Sequence, residues 1–406
     1  MSLPLNSLRK AGFWRKWLFR LPALAGAGLL AFSALQIAWN ASIGDRWPAL
    51  SFHMKYPMGY VPGAGAAPTM GNLLHGVFQK NAAARIGVQS MLYRSAIRWK
   101  HQAYWSLLGM SGVPNILVGK GGQLIETAYV DAYCRRNLMN DRPSPLAWAE
   151  RIRALQDEVE ARGQKFLYLI TPSKVALHPE FLPDGFPCAT SRRSIELLAR
   201  FRGALRTAGV HFVDGPAVLH AALGRYDLDL YPRGGIHWNM IGAALTAQAV
   251  IAALDNEGAQ LTPFSFTSHV NPKPTGWDRD LQEILNLQYE VAYPVPDLDY
   301  VSRPPASCEP DRIAEIAGSF IFELNEALEH TACPPEIRPY FYWKNLTTRS
   351  PDGALHKQPE DPAERRRDIL DWANFVILEE NESAGPGAEH AVALMDFMRP
   401  NAQAQR

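Results

Sequence analysis

The sequence has no charge bias to speak of. Forty-one Lys and Arg stand against 40 Asp and Glu in 406 residues, a formal net charge of +1, which removes the usual electrostatic argument for a nucleic-acid partner. Cysteine is scarce: Cys134, Cys188, Cys308 and Cys333 are the full set, and none forms a C-x-x-C pair, which argues against a zinc ribbon or a thioredoxin-type site. Internal repeats and low-complexity tracts are missing. Gly119-Lys120-Gly121-Gly122 lacks the spacing of a phosphate-binding loop and reads as a glycine-rich turn. His178, His211 and His220 lack ligand spacing, so no metal and no cofactor is expected. A mean hydropathy of −0.17 excludes a polytopic membrane protein but leaves room for one or two spans. What is present, 47% hydrophobic and 20% charged residues, suits a chain that buries a sizeable core.

One apolar stretch stands apart. From Leu21 to Trp39 there is no ionised residue, and as a helix this reaches about 28 Å, close to the hydrocarbon thickness of a bilayer. Arg9, Lys10, Arg15, Lys16 and Arg20 precede it, which orients the amino end to the cytoplasm and the rest outside. A cleaved signal peptide is the competing reading, since Ala31 and Ser33 are small residues near the end of a shorter run. The uncleaved anchor is favoured because the run stays apolar through Ile37, Ala38 and Trp39. In that compartment disulfides are permitted. Three pairings are possible, with Cys308–Cys333 and Cys134–Cys188 the preferred one and four buried thiols the alternative.

Residues 40–110 read as a stem packing on the main domain, with one helix-like stretch near Leu73–Trp105. Beyond it the signals alternate. Ile116-Leu117-Val118 reads as a strand, and Ser144-Pro145 opens a helix with Trp148, Ile152, Leu155 and Val159 on one face. Phe166–Ile170 is a second strand, Ile195, Leu198, Phe201 and Leu205 mark a second helix, and Val210–Val213 is a third strand. This alternation predicts an α/β fold: a mainly parallel sheet with helices on both faces and ligands at the carboxyl ends of the strands. A buried helix is expected at Met240–Leu254, a Pro- and aromatic-rich excursion over 261–310 with a helical piece at Asp278–Leu287, a charged segment at Pro351–Arg367, a strand at Phe375–Leu378 and a helix at Ala388–Met398.

Two strings carry chemistry. Gly234-Gly235-Ile236-His237-Trp238-Asn239 presents an imidazole just before the Met240 helix, and Ile316-Ala317-Gly318-Ser319-Phe320 reads as a strand ending in a small-residue turn that opens a helix. There a serine hydroxyl is exposed and backbone N–H groups are placed to stabilise an oxyanion. Serine needs a base within hydrogen-bond reach, so the strings make sense together as a Ser–His acyl-transfer site.

The order of strings along the chain resembles the alginate O-acetyltransferase family, whose catalytic domain is a variant of the SGNH-hydrolase fold. The matching pieces run from Gly119-Lys120-Gly121-Gly122 with Leu124 and Tyr129, through Pro172-Ser173-Lys174, His178-Pro179-Glu180 and Leu182-Pro183, to His237-Trp238-Asn239 with Gly242-Ala243. They continue with Trp277-Asp278, Asp280-Leu281, Gly318-Ser319-Phe320, Val376-Ile377-Leu378-Glu379 and Asn381-Glu382. The resemblance implies His237 as base and Ser319 as the nucleophile that carries acetyl to a sugar hydroxyl. It further implies an exported polysaccharide as acceptor, a membrane-bound acyltransferase as donor relay, and a place on the periplasmic side of the inner membrane.

The chain departs from the family where an Asp usually stands two residues before the His. Here that residue is Gly235, and Asp229, Asp227 or Asp214 are the candidates to orient the imidazole, with Asp229 preferred. Gly318, Lys174, Asn239 and Tyr342 are the expected oxyanion or substrate-binding residues, Tyr342 through an aromatic cluster able to stack on sugars. Glu315 is a second departure, expected at a rim or beside Arg312. The resulting map is a basic cytoplasmic segment at 1–20, an anchor at 21–39, a stem at 40–110, an SGNH-like acetyltransferase domain at 111–400 and a tail at 401–406. An acetylesterase on the same site, and a non-catalytic scaffold, are the alternatives.

Overall fold

In the strand Lys165–Thr171 alternate side chains serve two different cores. Phe166, Tyr168 and Ile170 pack with Trp148, Ile152, Phe201 and Leu205, whereas Leu167 and Leu169 pack with Leu219, Trp238, Val250 and Phe320. A strand apolar on both sides is stable only when both faces are covered, which is why the run lacks polar alternation. The computed structural model describes residues 6–44, 46–52, 54–59, 67–135, 143–186, 188, 193–303, 307–349, 355–359 and 368–398. The chain falls into two compact units, Met1–Val113 with Glu283–Glu290, and Pro114–Gln282 with Val291–Arg406.

The first unit is helical. α1 spans Asn6–Trp39 and includes a stretch long and apolar enough to cross a membrane by length and composition. The single helix expected near Leu73–Trp105 is three: α2 (Met70–Leu74), α3 (Val77–Gln89) and α4 (Met91–Leu108). Gly76, at φ 71°, breaks the first pair. Ser90 breaks the second, because it is extended and its hydroxyl accepts from Tyr93 N to cap α4.

The second unit holds the sheet. β1 (Ile116–Val118) and β2 (Leu124–Glu126) form a small antiparallel pair joined by Lys120-Gly121-Gly122. The expectation that Ile116–Val118 belongs to the main sheet is thereby corrected, since Gly121 and Gly122 at φ 63° and 74° fold the chain straight back. α5 (Thr127–Arg135) and α6 (Pro145–Glu160) lead to β3, the Lys165–Thr171 strand, then α7 (Lys174–Leu177), α8 (Arg193–Ala208), β4 (Phe212–Asp214), α9 (Gly215–Ala222) and α10 (Met240–Asp255). The excursion is more ordered than expected. It contains β5 (Phe264–Asn271) paired antiparallel with β6 (Val295–Ser302), and α11 (Asp280–Ile284). β7 (Arg312–Ala317), α12 (Ile321–Leu328), β8 (Glu336–Phe341), β9 (Asn345–Arg349), β10 (Leu355–Pro359), β11 (Phe375–Asn381) and α13 (Glu389–Met398) complete it.

The main sheet runs β10-β9-β8-β7-β11-β3-β4. β8, β7, β11, β3 and β4 are mutually parallel, with β9 and β10 added antiparallel at one edge. Helices α9, α10 and α12 cover one face and α6, α8 and α13 the other, the expected α/β arrangement of a mainly parallel sheet with helices on both faces. Residues 351–354 and 360–367 of the expected charged segment, and the 401–406 tail, lie outside the described residues. Cys134 is joined to Cys188 and Cys308 to Cys333, with Cα atoms 5.3 and 5.6 Å apart.

Candidate active site

Ser319 sits in the turn between β7 and α12, at the carboxyl edge of the parallel sheet where such folds leave a crevice. The turn is held from beneath. Gly318 N donates to Glu379 Oε2 at 2.7 Å, and the other oxygen of Glu379 accepts from Thr171 Oγ1, so a buried carboxylate on β11 ties the turn to β3. Gly318 N is thus already engaged, which corrects its expected use as an oxyanion donor.

His237 lies two residues before Asn239, the N-cap of α10. Asn239 Oδ1 accepts from Ile241 N and Gly242 N at 3.1 and 3.2 Å, and its amide donates to the Asp229 carbonyl at 2.6 Å. These bonds use the side chain for capping, so the expectation that Asn239 binds substrate is replaced by a positioning role. Trp238, fully buried, meets Phe320 edge-on at 5.5 Å and so links the histidine segment to the serine turn. Lys174 is also corrected. Its ammonium is buried and donates to the carbonyls of Leu124, Pro232, Arg233 and Gly235 at 2.9, 2.7, 3.2 and 3.2 Å, clamping the approach to His237 rather than lining a cleft. Burial brings its pKa down from 10.5 to about 7.

The two segments converge. Ser319 Oγ is 2.8 Å from His237 Nε2, and Asp280 Oδ2 is 2.7 Å from Nδ1. With Nδ1 donating to the carboxylate, Nε2 is left to accept from the hydroxyl. Asp280 Oδ1 accepts from Ile236 N at 2.9 Å and Leu281 N at 2.6 Å, which fixes the carboxylate's orientation. The acid on the imidazole is therefore Asp280, and the expectations for Asp229, Asp227 and Asp214 are corrected. Asp227 and Asp229 are exposed, and Asp214 caps α9 through Ala217 N and pairs with Arg202. Gly235 explains the exchange. A Cβ there would stand 2.7 Å from the Trp277 carbonyl and 2.9 Å from that of Asp278, so the segment that delivers Asp280 occupies the room an acid at 235 would need. The Trp277-Asp278 and Asp280-Leu281 strings were visible in the sequence, but no spacing connects them to His237.

The imidazole is enclosed. His237 meets Trp277 at 5.2 Å and Phe320 at 4.8 Å, both edge-on, and Trp277 stacks on Phe322 at 5.4 Å. Burial disfavours the imidazolium, but Glu323 and Asp280 outweigh it and hold the His237 pKa above the ordinary 6.5. Glu323 is 2% exposed, 3.7 Å from Nδ1, and neither of its oxygens has a hydrogen-bond partner among the described residues. Burial pushes it from 4.5 to about 8, and Asp278 to about 7. Tyr342, at φ 50° after β8, brings its hydroxyl to 3.3 Å from where a Cβ on Gly318 would stand, beside the Ser319 turn. Glu315 is neither at a rim nor beside Arg312: it is fully buried and accepts from Asn325 Nδ2 at 2.7 Å. Among the described residues no group of three or more His, Cys, Asp and Glu is arranged to hold a metal ion.

This geometry suits acyl transfer. Residues 133–310 match the family of SGNH hydrolase-like domains typified by the acetyltransferase AlgX. That span contains His237 and Asp280, and Ser319 lies beyond it. Over 143 residues the chain is 27% identical to the "Probable alginate O-acetylase AlgJ" of Pseudomonas syringae pv. tomato, covering 35% of this chain and 34% of the relative. The match spans about a third of the relative's length. Among solved structures, the O-acetyltransferase domain of Pseudomonas putida AlgJ is similar at 17% identity and a TM-score of 0.45, over 71% of this chain and 100% of that one. Pseudomonas aeruginosa AlgX is similar at 14% identity and a TM-score of 0.45, over 70% and 66%. Over residues 133–310 the chain is thus similar to the SGNH hydrolase-like domain of the acetyltransferase AlgX.

Proposed function

We propose that this protein is an O-acetyltransferase that places acetyl groups on sugar hydroxyls of an exported polysaccharide. The observation that carries the proposal is the chain of contacts Ser319 Oγ to His237 Nε2 and His237 Nδ1 to Asp280 Oδ2 at 2.8 and 2.7 Å, at the sheet's carboxyl edge. In the first step Ser319 Oγ attacks the acetyl carbonyl of the donor while His237 Nε2 takes the hydroxyl proton. The bond to the donor breaks, the leaving group takes that proton, and an acetyl-serine remains. In the second step a sugar hydroxyl gives its proton to His237 and attacks the ester, and the released Ser319 oxygen takes the proton back. Asp280 stabilises the imidazolium in both. The Tyr342 hydroxyl and the Ser319 N–H are the donors this reading assigns to the oxyanion.

The donor is a membrane-bound acyltransferase that relays acetyl across the inner membrane. The chain is held on the periplasmic side by residues 21–39, as a single-pass anchor rather than a cleaved signal. The apolar α1 and the basic residues before it support this orientation. Purified full-length protein, supplied with an acetyl ester, tests the reading. Turnover that rises with an oligosaccharide acceptor and leaves acetyl on it identifies a transferase, while equal turnover with free acetate as product identifies an esterase. Ser319→Ala abolishes both, and unchanged polymer acetylation in that variant would leave only a scaffold.

A further inference from the structure

The overall charge of +1 conceals a sharp division. From Arg46 to Ile125, 80 residues pass without one Asp or Glu while carrying eight Lys and Arg, and nearly all of the chain's acids lie beyond. The structure shows where most of this acid-free stretch goes. Gln36 and Ser33 of α1 bind the α3–α4 junction: Gln36 Oε1 accepts from Met91 N at 3.0 Å, its amide donates to the Gln89 carbonyl at 3.4 Å, and the Ser33 and Ser90 hydroxyls are 2.8 Å apart. Those residues are within about two turns, roughly 5 to 9 Å, of Trp39 at the end of the apolar run. The junction is therefore pinned at the depth where α1 leaves the hydrocarbon.

The outward surface there is both apolar and cationic. α4 turns Arg94, Ile97 and His101 inward, where Arg94 donates to the Met54 carbonyl at 2.6 Å and His101 Nδ1 to the Leu285 carbonyl at 2.7 Å. Elsewhere on α4, Trp99 is 53%, Tyr104 37% and Leu107 79% exposed. Leu74 and Ile86 on α2 and α3 are exposed as well. On the same helices Lys80, Arg85 and Lys100 are exposed and make no ion pair with any described residue. The acids that residues 283–290 add to this unit are Glu283, paired with Lys55 at 3.7 Å, and Glu290. Exposed aromatics and leucines set among free cations, continuous with a span, match the chemistry of an anionic lipid interface, into which apolar side chains dip while cations meet phosphate.

We infer that α2–α4 form a collar that lies on the membrane surface and binds anionic phospholipid headgroups of the leaflet from which α1 emerges. The inference rests on the reading of residues 21–39 as a span, and its test separates the two. A photoreactive benzophenone amino acid replaces Trp99, Leu107 or, within the span, Leu30 in the full-length chain, reconstituted in vesicles of phosphatidylcholine alone or with about 30% phosphatidylglycerol. Lipid adducts are expected at all three positions. Those at Trp99 and Leu107 increase about threefold or more with phosphatidylglycerol and fall in Lys80→Glu/Arg85→Glu/Lys100→Glu, while that at Leu30 is indifferent to both. The comparison of lipid mixtures uses one labelled protein, so folding of a variant does not enter it, and the unchanged adduct at Leu30 reports on insertion of the triple variant. A lipid adduct at Leu30 with none at Trp99 and Leu107, or with crosslinks there to a protein in native membranes, overturns the collar and keeps the span. No lipid adduct at Leu30 overturns both.

Discussion

Asp280 and His237 are 43 residues apart in the chain, yet Asp280 Oδ2 lies 2.7 Å from His237 Nδ1 while Gly235 fills the place of an acid two residues before the histidine. The carboxylate has not been lost from the site. It arrives on a different segment, and Gly235 is the residue small enough to let that segment in. Asp280→Asn keeps the shape and removes the charge that holds the imidazole's tautomer, so turnover falls roughly 1,000- to 10,000-fold with little change in KM. Asp229→Asn, at an exposed side chain, leaves steady-state turnover within about twofold.

Gly235→Ala inserts a methyl into space bounded by the Trp277 and Asp278 carbonyls at 2.7 and 2.9 Å. Both neighbours are backbone, so the strain is not relieved by a rotamer change, and a loss of about 1 to 3 kcal/mol is expected in chemical denaturation. The double variant Gly235→Asp/Asp280→Asn does not regain activity. Recovery in it would show that position 235 accepts a side chain after all.

Lys174→Met takes away the donor to four carbonyls and leaves them buried. A loss of about 2 to 4 kcal/mol follows, and because three of those carbonyls belong to Pro232, Arg233 and Gly235, kcat falls by more than KM rises. Steady-state kinetics on the folded fraction check this.

His237 must be neutral to act as a base, and its pKa is held above 6.5, so activity rises with pH along a limb whose midpoint lies above 6.5. In Glu323→Gln the carboxyl that favours the imidazolium is gone, and the limb moves to lower pH. A limb that stays in place would show that Glu323 does not act on the imidazole.

Glu323 and Glu315 are both raised by burial from 4.5 to about 8. A carboxyl raised in the folded state contributes stability that is fully present below 4.5 and is lost as pH climbs through about 8. Urea midpoints measured across that window therefore decline in the wild type and decline less in Glu315→Gln and in Glu323→Gln.

Tyr342→Phe deletes the hydroxyl that lies beside the Gly318-Ser319 turn, and as an oxyanion donor its loss lowers turnover about 100-fold. Full activity in this variant would assign Tyr342 to packing alone.

Periodicity and short strings carried the fold a long way. The Phe166–Ile170 run, the Trp148-Ile152-Leu155-Val159 face and the apolar Met240 helix each state their burial locally, and the alternation of strand and helix follows from them. The same is true of His237 and Ser319, which flanking glycines and helix starts mark in the chain itself. Ile116–Val118 was legible as a strand but not as a hairpin partner of Leu124–Glu126, because pairing depends on which edge a strand reaches. The roles of Lys174, Asn239 and Asp280 were legible only as residue types, for a lysine reads alike whether it meets solvent or four carbonyls. The sequence by itself determined the parallel sheet, the apolar amino-terminal helix and the two segments that carry His237 and Ser319, because those depend on neighbours a few residues away. Only the tertiary structure decided which carboxylate faces the imidazole and what surrounds the end of α1, because contacts across tens of residues are set by how elements pack and leave no periodic trace in the chain.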